Sequence, residues 1–106
     1  MFSKKQKIER DKIRKIIKNP DFSFNNNLLN IKLSNNNIDN NRFSIIIPKK
    51  VEKSAVRRHF IKRKIIKIIK EFPLKNGYDF VFYIKNKTIV DHKDVFDSLL
   101  KKCIID

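Results

Sequence analysis

Apolar residues recur along this chain in two rhythms, and the switches between them mark out its elements. Ile13, Ile16 and Ile17 are spaced as one face of a helix within the basic stretch 4–18. Asn19-Pro20 ends that stretch, because a residue before proline avoids helical angles. Leu29, Ile31 and Leu33 alternate with polar Asn30 and Lys32, the pattern of a strand with one dry face. Residues 34–41 are polar and rich in asparagine and predict a loop. A second strand is predicted over 43–47, where Phe43, Ile45 and Ile47 share a face and Ile46 implies cover on the other. Pro48 suits a strand end.

The helical rhythm returns over 54–70. At 100° per residue, Ile61, Ile65, Ile68, Ile69 and Phe72 fall in one arc, the seam that docks on a sheet. Ser54 is the predicted N-cap, without a capping box because position N3 is Arg57. Pro73 and Gly77 punctuate the end. Residues 78–84 are continuously apolar from Phe80, as expected of a strand buried on both faces. Asp91 is the predicted N-cap of a last helix, whose core face is Val95, Phe96, Leu99, Leu100 and Cys103. The order is α-β-β-α-β-α, with a further strand expected at 22–25 around Phe22 and Phe24. This predicts one small α+β domain over residues 1–106, a two-layer sandwich of a central sheet packed by helices.

Charge changes the picture from fold to partner. The formal net charge is +15, and that much like charge repels itself in a compact state, so a polyanion is the natural partner. Abundant Lys, Asn, Ile and Phe with a single Gly is also the bias of an AT-rich genome, which discounts lysine as a signal. Arginine clustering is not discounted: Arg57, Arg58 and Arg63 fall within seven residues. They lie on the helix that carries the seam, where no Asp or Glu stands between Lys53 and Lys70 to form i,i+4 pairs. Arg63, Lys67 and Lys70 fall opposite the seam with His59 near them, Arg57 and Lys64 on one flank and Lys62 on the other. Arg58 falls close to the seam and can avoid burial if the first turn projects beyond the sheet. A helix start favours phosphate, and the planar guanidinium suits phosphates and bases better than an ammonium does.

The remaining chemistry is sparse. Cys103 is the sole cysteine and is expected to pack. No apolar run approaches the ~20 residues of a membrane span, and the beginning of the chain lacks a signal-peptide apolar region, so a cytoplasmic protein is expected. A membrane-surface helix fits poorly, because the apolar arc is claimed by the sheet and the chain has no tryptophan.

The segment Ala55-Val56-Arg57-Arg58-His59-Phe60-Ile61-Lys62-Arg63, preceded by Lys49-Lys50, resembles the signature of the bacterial ribonuclease P protein subunit. That signature is a Lys-Lys pair, a short turn, then Ala-Val-x-Arg-Asn-Arg-Ile-Lys-Arg. Residues 42–48, 79–84 and 95–101 resemble the flanking strands and the C-terminal helix, so the resemblance covers nearly the whole chain. It implies a left-handed crossover and a protein that binds a large catalytic RNA, which removes the 5′ leader of precursor tRNA with Mg²⁺ held at the RNA active site. No catalytic residue, metal ligand or cofactor is then expected on this chain, and a 1:1 complex with the RNA is. The implied RNA contacts are Lys49, Lys50, Lys53, Arg57, Arg58, His59, Lys62, Arg63 and Lys67. His59 and Phe60 stand where the family has Asn and Arg, and Ile66 stands at a usually basic position. Phe60 could stack a base, although an aromatic at helical spacing more often belongs to a core. Ile13 and Ile17 occupy positions where the family offers aromatic residues to a leader-binding cleft, and Phe22 and Phe24 are candidates to compensate.

Two rivals remain at this level. A protein nuclease would use His59 and His92 for acid–base cleavage of RNA, although no nucleophile–base or metal-ligand spacing accompanies them. A non-catalytic RNA-binding protein, such as a basic ribosomal protein, is the other.

Overall fold

The computed structural model describes residues 6–72, 74 and 77–103. Helix α1 spans Arg10–Lys18, and strands β1, β2 and β3 span Phe22–Asn25, Leu29–Asn35 and Arg42–Ile46. Helix α2 spans Ala55–Glu71, β4 spans Tyr78–Ile84, and α3 spans Lys93–Lys102 after a 3-10 turn at Lys87–Asp91. The strands form one sheet in the order β1-β2-β4-β3. β1–β2 and β2–β4 are antiparallel, whereas β3 and β4 are parallel neighbours joined through α2.

Strand alternation sorts the sheet into two unequal faces. On one, Leu29, Ile31, Leu33, Phe43, Ile45, Phe80, Phe82 and Ile84 meet α2, α3 and Ile89 of the 3-10 turn in the main core. Phe43, Phe80, Phe82 and Phe96 form a stacked series, with successive ring centroids 5.4, 6.1 and 6.0 Å apart. On the other face Val81 packs with Ile8 and Ile16, and Ile13 and Ile46 close around them. The expected double burial of β4 is therefore present. The two-layer arrangement holds for the main core, and α1 adds a partial third layer behind it.

Several boundaries moved for local reasons. The first helix begins at Arg10, not within 4–9: Lys7 forms a parallel bridge to Phe43 at the outer edge of β3, and Glu9 is extended. Residues 4–5 of that expected helix lie outside the described residues. Ser54 does cap α2, its Oγ accepting from Arg57 N–H at 3.3 Å. Phe72 turns extended (φ −96°, ψ 133°), as a residue before proline should, while Pro73 itself lies outside the described residues. Asp91 is not the N-cap of α3. The Asn86 side chain accepts from Thr88 N–H at 3.0 Å and starts the 3-10 turn early, Ile89 plugs the core, and Asp91 is used up as the end of that turn. His92 takes the cap position without a side-chain bond.

Arg42 and Asp79 face each other across the parallel pair. Arg42 Nε and Nη2 donate to the two Asp79 oxygens, both at 2.7 Å, and Asn36 Nδ2 donates to Oδ1 at 2.9 Å. The bonding to Asp79 raises the Arg42 pKa still further above its ordinary value. Gly77 sits at φ +96°, a left-handed conformation that only glycine adopts freely, and its carbonyl accepts from Asn36 N–H.

Candidate nucleic-acid interface

The start of α2 is held by a compact set of bonds. Residues 48–51 turn, with Val51 N–H donating to Pro48 O at 2.9 Å, and this leaves Lys49 and Lys50 exposed. Glu52 is buried behind the turn. Its Oε2 accepts from Ser54 N–H at 3.2 Å, and its Oε1 lies 3.6 Å from Lys87 Nζ. The Ser54 bond, with the charges of Lys87 and Arg57, holds the Glu52 carboxyl below its usual pKa despite its burial. Ser54 therefore donates to Glu52 while capping Arg57, which are the two bonds of a capping box with the acid placed before the cap.

Arg58 completes the junction. Its Nη1 donates to Glu52 O and Lys53 O, both at 2.9 Å, so the side chain folds back off the helix end. That is how a guanidinium close to the apolar arc stays half-buried and paired. With His59, Lys62, Ile47 and Ala55 it lines a hollow of about 180 Å³. Arg57, His59, Arg63 and Lys67 are exposed along the helix, Lys62 is half-buried, and Lys53 is exposed just before it. Lys62, Arg63 and Lys67 make no ion pair among the described residues. The helix thus presents Arg58, His59 and Lys62 on its sheet side and Arg57, Arg63 and Lys67 outward.

Two apolar residues depart from expectation. Ile66 is buried in the main core and also lines a cavity of about 280 Å³ with Lys7, Ile8, Phe43 and Ile45, so this position faces the edge of β3. A cation there would be desolvated. Phe60, by contrast, is 57% exposed, not core, and Lys64 Nζ lies 4.7 Å from its ring centroid.

A second depression lies on the sheet face that α1 only partly covers. Ile17, Asn25, Asn30, Lys32, Val81, Tyr83 and Lys85 line a groove of about 310 Å³. Lys32 Nζ donates to Ile17 O at 2.9 Å, which satisfies a carbonyl in the last turn of α1 with a cation. Lys85 Nζ donates to Asn26 O and to Asn25 Oδ1. Of the four cleft candidates, only Ile17 lines this groove; Ile13 packs beneath α1 against Ile8, Ile16 and Val81. Phe22 and Phe24 are not brought there. They pair with Leu33 and Ile31, so they share the opposite face, where Phe24 packs on the main core. Sequence reasoning missed Asn30, Lys32, Tyr83 and Lys85. For Asn30 and Lys32 the signal is the polar side of the β2 alternation; Tyr83 and Lys85 lie on and just after the apolar β4 and carry no such signal.

The titratable groups offer little acid–base chemistry. His59 and His92 are both exposed, and burial pushes the Cys103 thiol up to about 12. Among the described residues no group of three or more His, Cys, Asp or Glu could hold a metal ion. No described helix is long and apolar enough to cross a membrane.

The family model described as Ribonuclease P matches residues 2–104. The chain belongs to the ribonuclease P protein family. A ribonuclease P protein component from Clostridium botulinum (strain 657 / Type Ba4) is 33% identical over 105 residues, covering 84% of this chain and 90% of the relative. Among solved structures, the ribonuclease P protein of Thermotoga maritima superposes with a TM-score of 0.75 at 20% identity, over 94% of this chain and 97% of that one. That of Staphylococcus aureus superposes at 0.77 and 22% identity, over 94% and 98%. The α+β architecture is thus that of ribonuclease P proteins, and the chain is a ribonuclease P protein component, a tRNA-processing, RNA-binding protein.

Proposed function

We propose that this chain binds the catalytic RNA of ribonuclease P through residues 49–67 and holds the 5′ leader of precursor tRNA in the groove beside α1. One observation carries this reading: a rigidly anchored helix whose exposed face has cations and no carboxylate from Ala55 to Lys70. Lys49, Lys50 and Lys53 extend the same charge ahead of the helix.

The residues divide the work by geometry. Arg57, Arg63 and Lys67 project outward and neutralise phosphates. Arg58 lines the hollow beside His59 and Lys62, where a phosphate or a 2′-hydroxyl finds several donors together. In the groove, Tyr83 offers a ring to a leader base, and Asn30, Lys32 and Lys85 offer polar contacts to its backbone. Mg²⁺ would be held by the RNA, where it would supply the activation of water for phosphodiester hydrolysis. The protein orients and neutralises; it supplies neither nucleophile nor base. A 1:1 complex is expected.

Reconstitution tests this. The protein should stimulate precursor-tRNA cleavage by a ribonuclease P RNA at low Mg²⁺, and Arg58→Ala and Arg63→Ala should each reduce the stimulation with the folded circular-dichroism spectrum retained. If the helix neutralises ~5–8 phosphates, log affinity should fall against log salt with a slope of roughly −4 to −7. Full stimulation by both variants would remove the proposed role. Cleavage by the protein without added RNA would point instead to a protein nuclease, and copurification with ribosomes without ribonuclease P RNA would point to a ribosomal protein.

A further inference from the structure

The outward face of α2 carries two residues that its charge does not explain. Val56 is 80% exposed and Phe60 is 57% exposed, one helical turn apart. Neither can reach the main core, which lies on the opposite arc with Ile61, Ile65 and Ile69. An exposed pair of this kind on a helix costs solubility and contributes nothing to the fold.

Every residue next to Phe60 on this surface is apolar or cationic. Val56 and Lys64 lie four positions away along the ridge, and Arg57 and Arg63 lie three positions to either side. Lys64 Nζ already lies over the ring. More than half of Phe60 stays open with that lysine in place. The surface is therefore a π-face set in a field of positive charge. It repels a second copy of this chain, which carries the same +15. It also suits a partner with flat, apolar faces strung on an anionic backbone. In a paired helix the base faces are covered, so the matching occupant is an unpaired base.

We infer that Phe60, backed by Val56, is a stacking platform for one unpaired nucleobase of the RNA bound along α2, with Arg57, Arg63 and Lys64 gripping the phosphates on either side. This rests on the RNA-binding reading of α2. It assigns to this chain a contact of a different kind from the charge pairing expected at the same helix. Base-on-aromatic contacts are sequence-tolerant and nearly independent of salt, whereas phosphate contacts are strongly salt-dependent. The platform adds affinity that salt does not remove, and it selects a bulge or loop over a continuous duplex.

Two RNA hairpins test it, one with a single bulged nucleotide and one fully paired, against the full chain. Phe60→Ala and Phe60→Leu should each weaken binding of the bulged hairpin by about ten-fold, within the range for one stacked base, and leave the paired hairpin unchanged. Phe60→Tyr should bind as the unaltered chain does. The Phe60→Ala salt slope should match the unaltered chain, whereas Arg57→Ala should lower it by about one. Phe60→Trp provides the only tryptophan in the chain, and its fluorescence should be quenched by the bulged hairpin and not by the paired one. Full affinity in Phe60→Leu, or equal losses on both hairpins, overturns the stacking proposal. A change in sedimentation without any change in RNA binding also overturns it and makes the patch a self-association surface. If Arg57→Ala and Arg63→Ala leave both affinities and slopes untouched, the RNA-binding reading of α2 fails as well; losses in the arginine variants alone sink only the platform.

Discussion

The two halves of α2 share one backbone and almost no physical role. From Ile65 to Ile69 the helix is a core element, with Ile65, Ile66, Ile68 and Ile69 all buried. From Ala55 to Arg63 it is a surface element, with Ile61 its only buried residue. The second half is held by hydrophobic contact; the first is held by a few polar bonds around Glu52, Ser54 and Arg58. A helix fixed at one end by packing can project its other end into solvent with the register of its side chains preserved. That is a way to hold arginines at fixed spacing without burying them.

Substitutions along α2 should separate the halves sharply. Ile65→Ala opens a cavity in the main core and should cost about 2–5 kcal/mol, read as a large fall in the melting temperature. If it costs less than the cap variant below, the packed half is not the anchor. Ser54→Ala removes the cap and should cost about 1 kcal/mol in chemical denaturation. It should also speed amide exchange in the first turn of α2 and leave the turns near Ile68 protected.

Glu52 gives a pH handle on the same junction. Its folded pKa lies below the unfolded value, so its contribution is present above the unfolded pKa, near 4.5, and is lost as pH falls through the folded pKa. Glu52→Gln should flatten the acid limb of the stability profile below about pH 4.5. An unchanged limb would exclude Glu52 from that transition. The smallest stability effect is expected for Arg63→Ala, within about 0.5 kcal/mol, because the side chain is exposed and makes no ion pair among the described residues. The same change should lower the salt slope of RNA binding by about one. A large stability loss there would mean that the projecting half also supports the fold.

The sequence made the packed half legible and the projecting half only partly so. Local periodicity is enough to find the Ile61, Ile65, Ile68, Ile69 arc and the twice-buried Phe80 to Phe82, because each pattern lies within one element. Ile66 lies off that arc, and its burial comes from the main core beside the edge of β3, which the helix's own spacing does not reveal. The Glu52–Ser54 bond was hidden because the acid precedes the cap, whereas the capping-box pattern places it after. Phe22 and Phe24 lie on the face opposite the groove because their orientation is set by the β1–β2 register. That register comes from a turn in which Asn26 Oδ1 accepts from Leu28 and Leu29 N–H at 2.8 and 2.9 Å. The Arg42–Asp79 pair spans 37 residues and has no local signature at all.

The parallel pairing of β3 with β4 also sets an order of assembly. Both strands flank α2 in sequence, so the anchoring surface for the helix is complete only when β4 has slotted between β2 and β3. Closing such a long connection is slow compared with forming a helix. On a growing chain α2 emerges before β4, with its cations and Phe60 already grouped and no sheet to dock on. The early chain therefore carries a basic helix whose packing surface is still incomplete. Closure of the last strand gives its cations their fixed spacing.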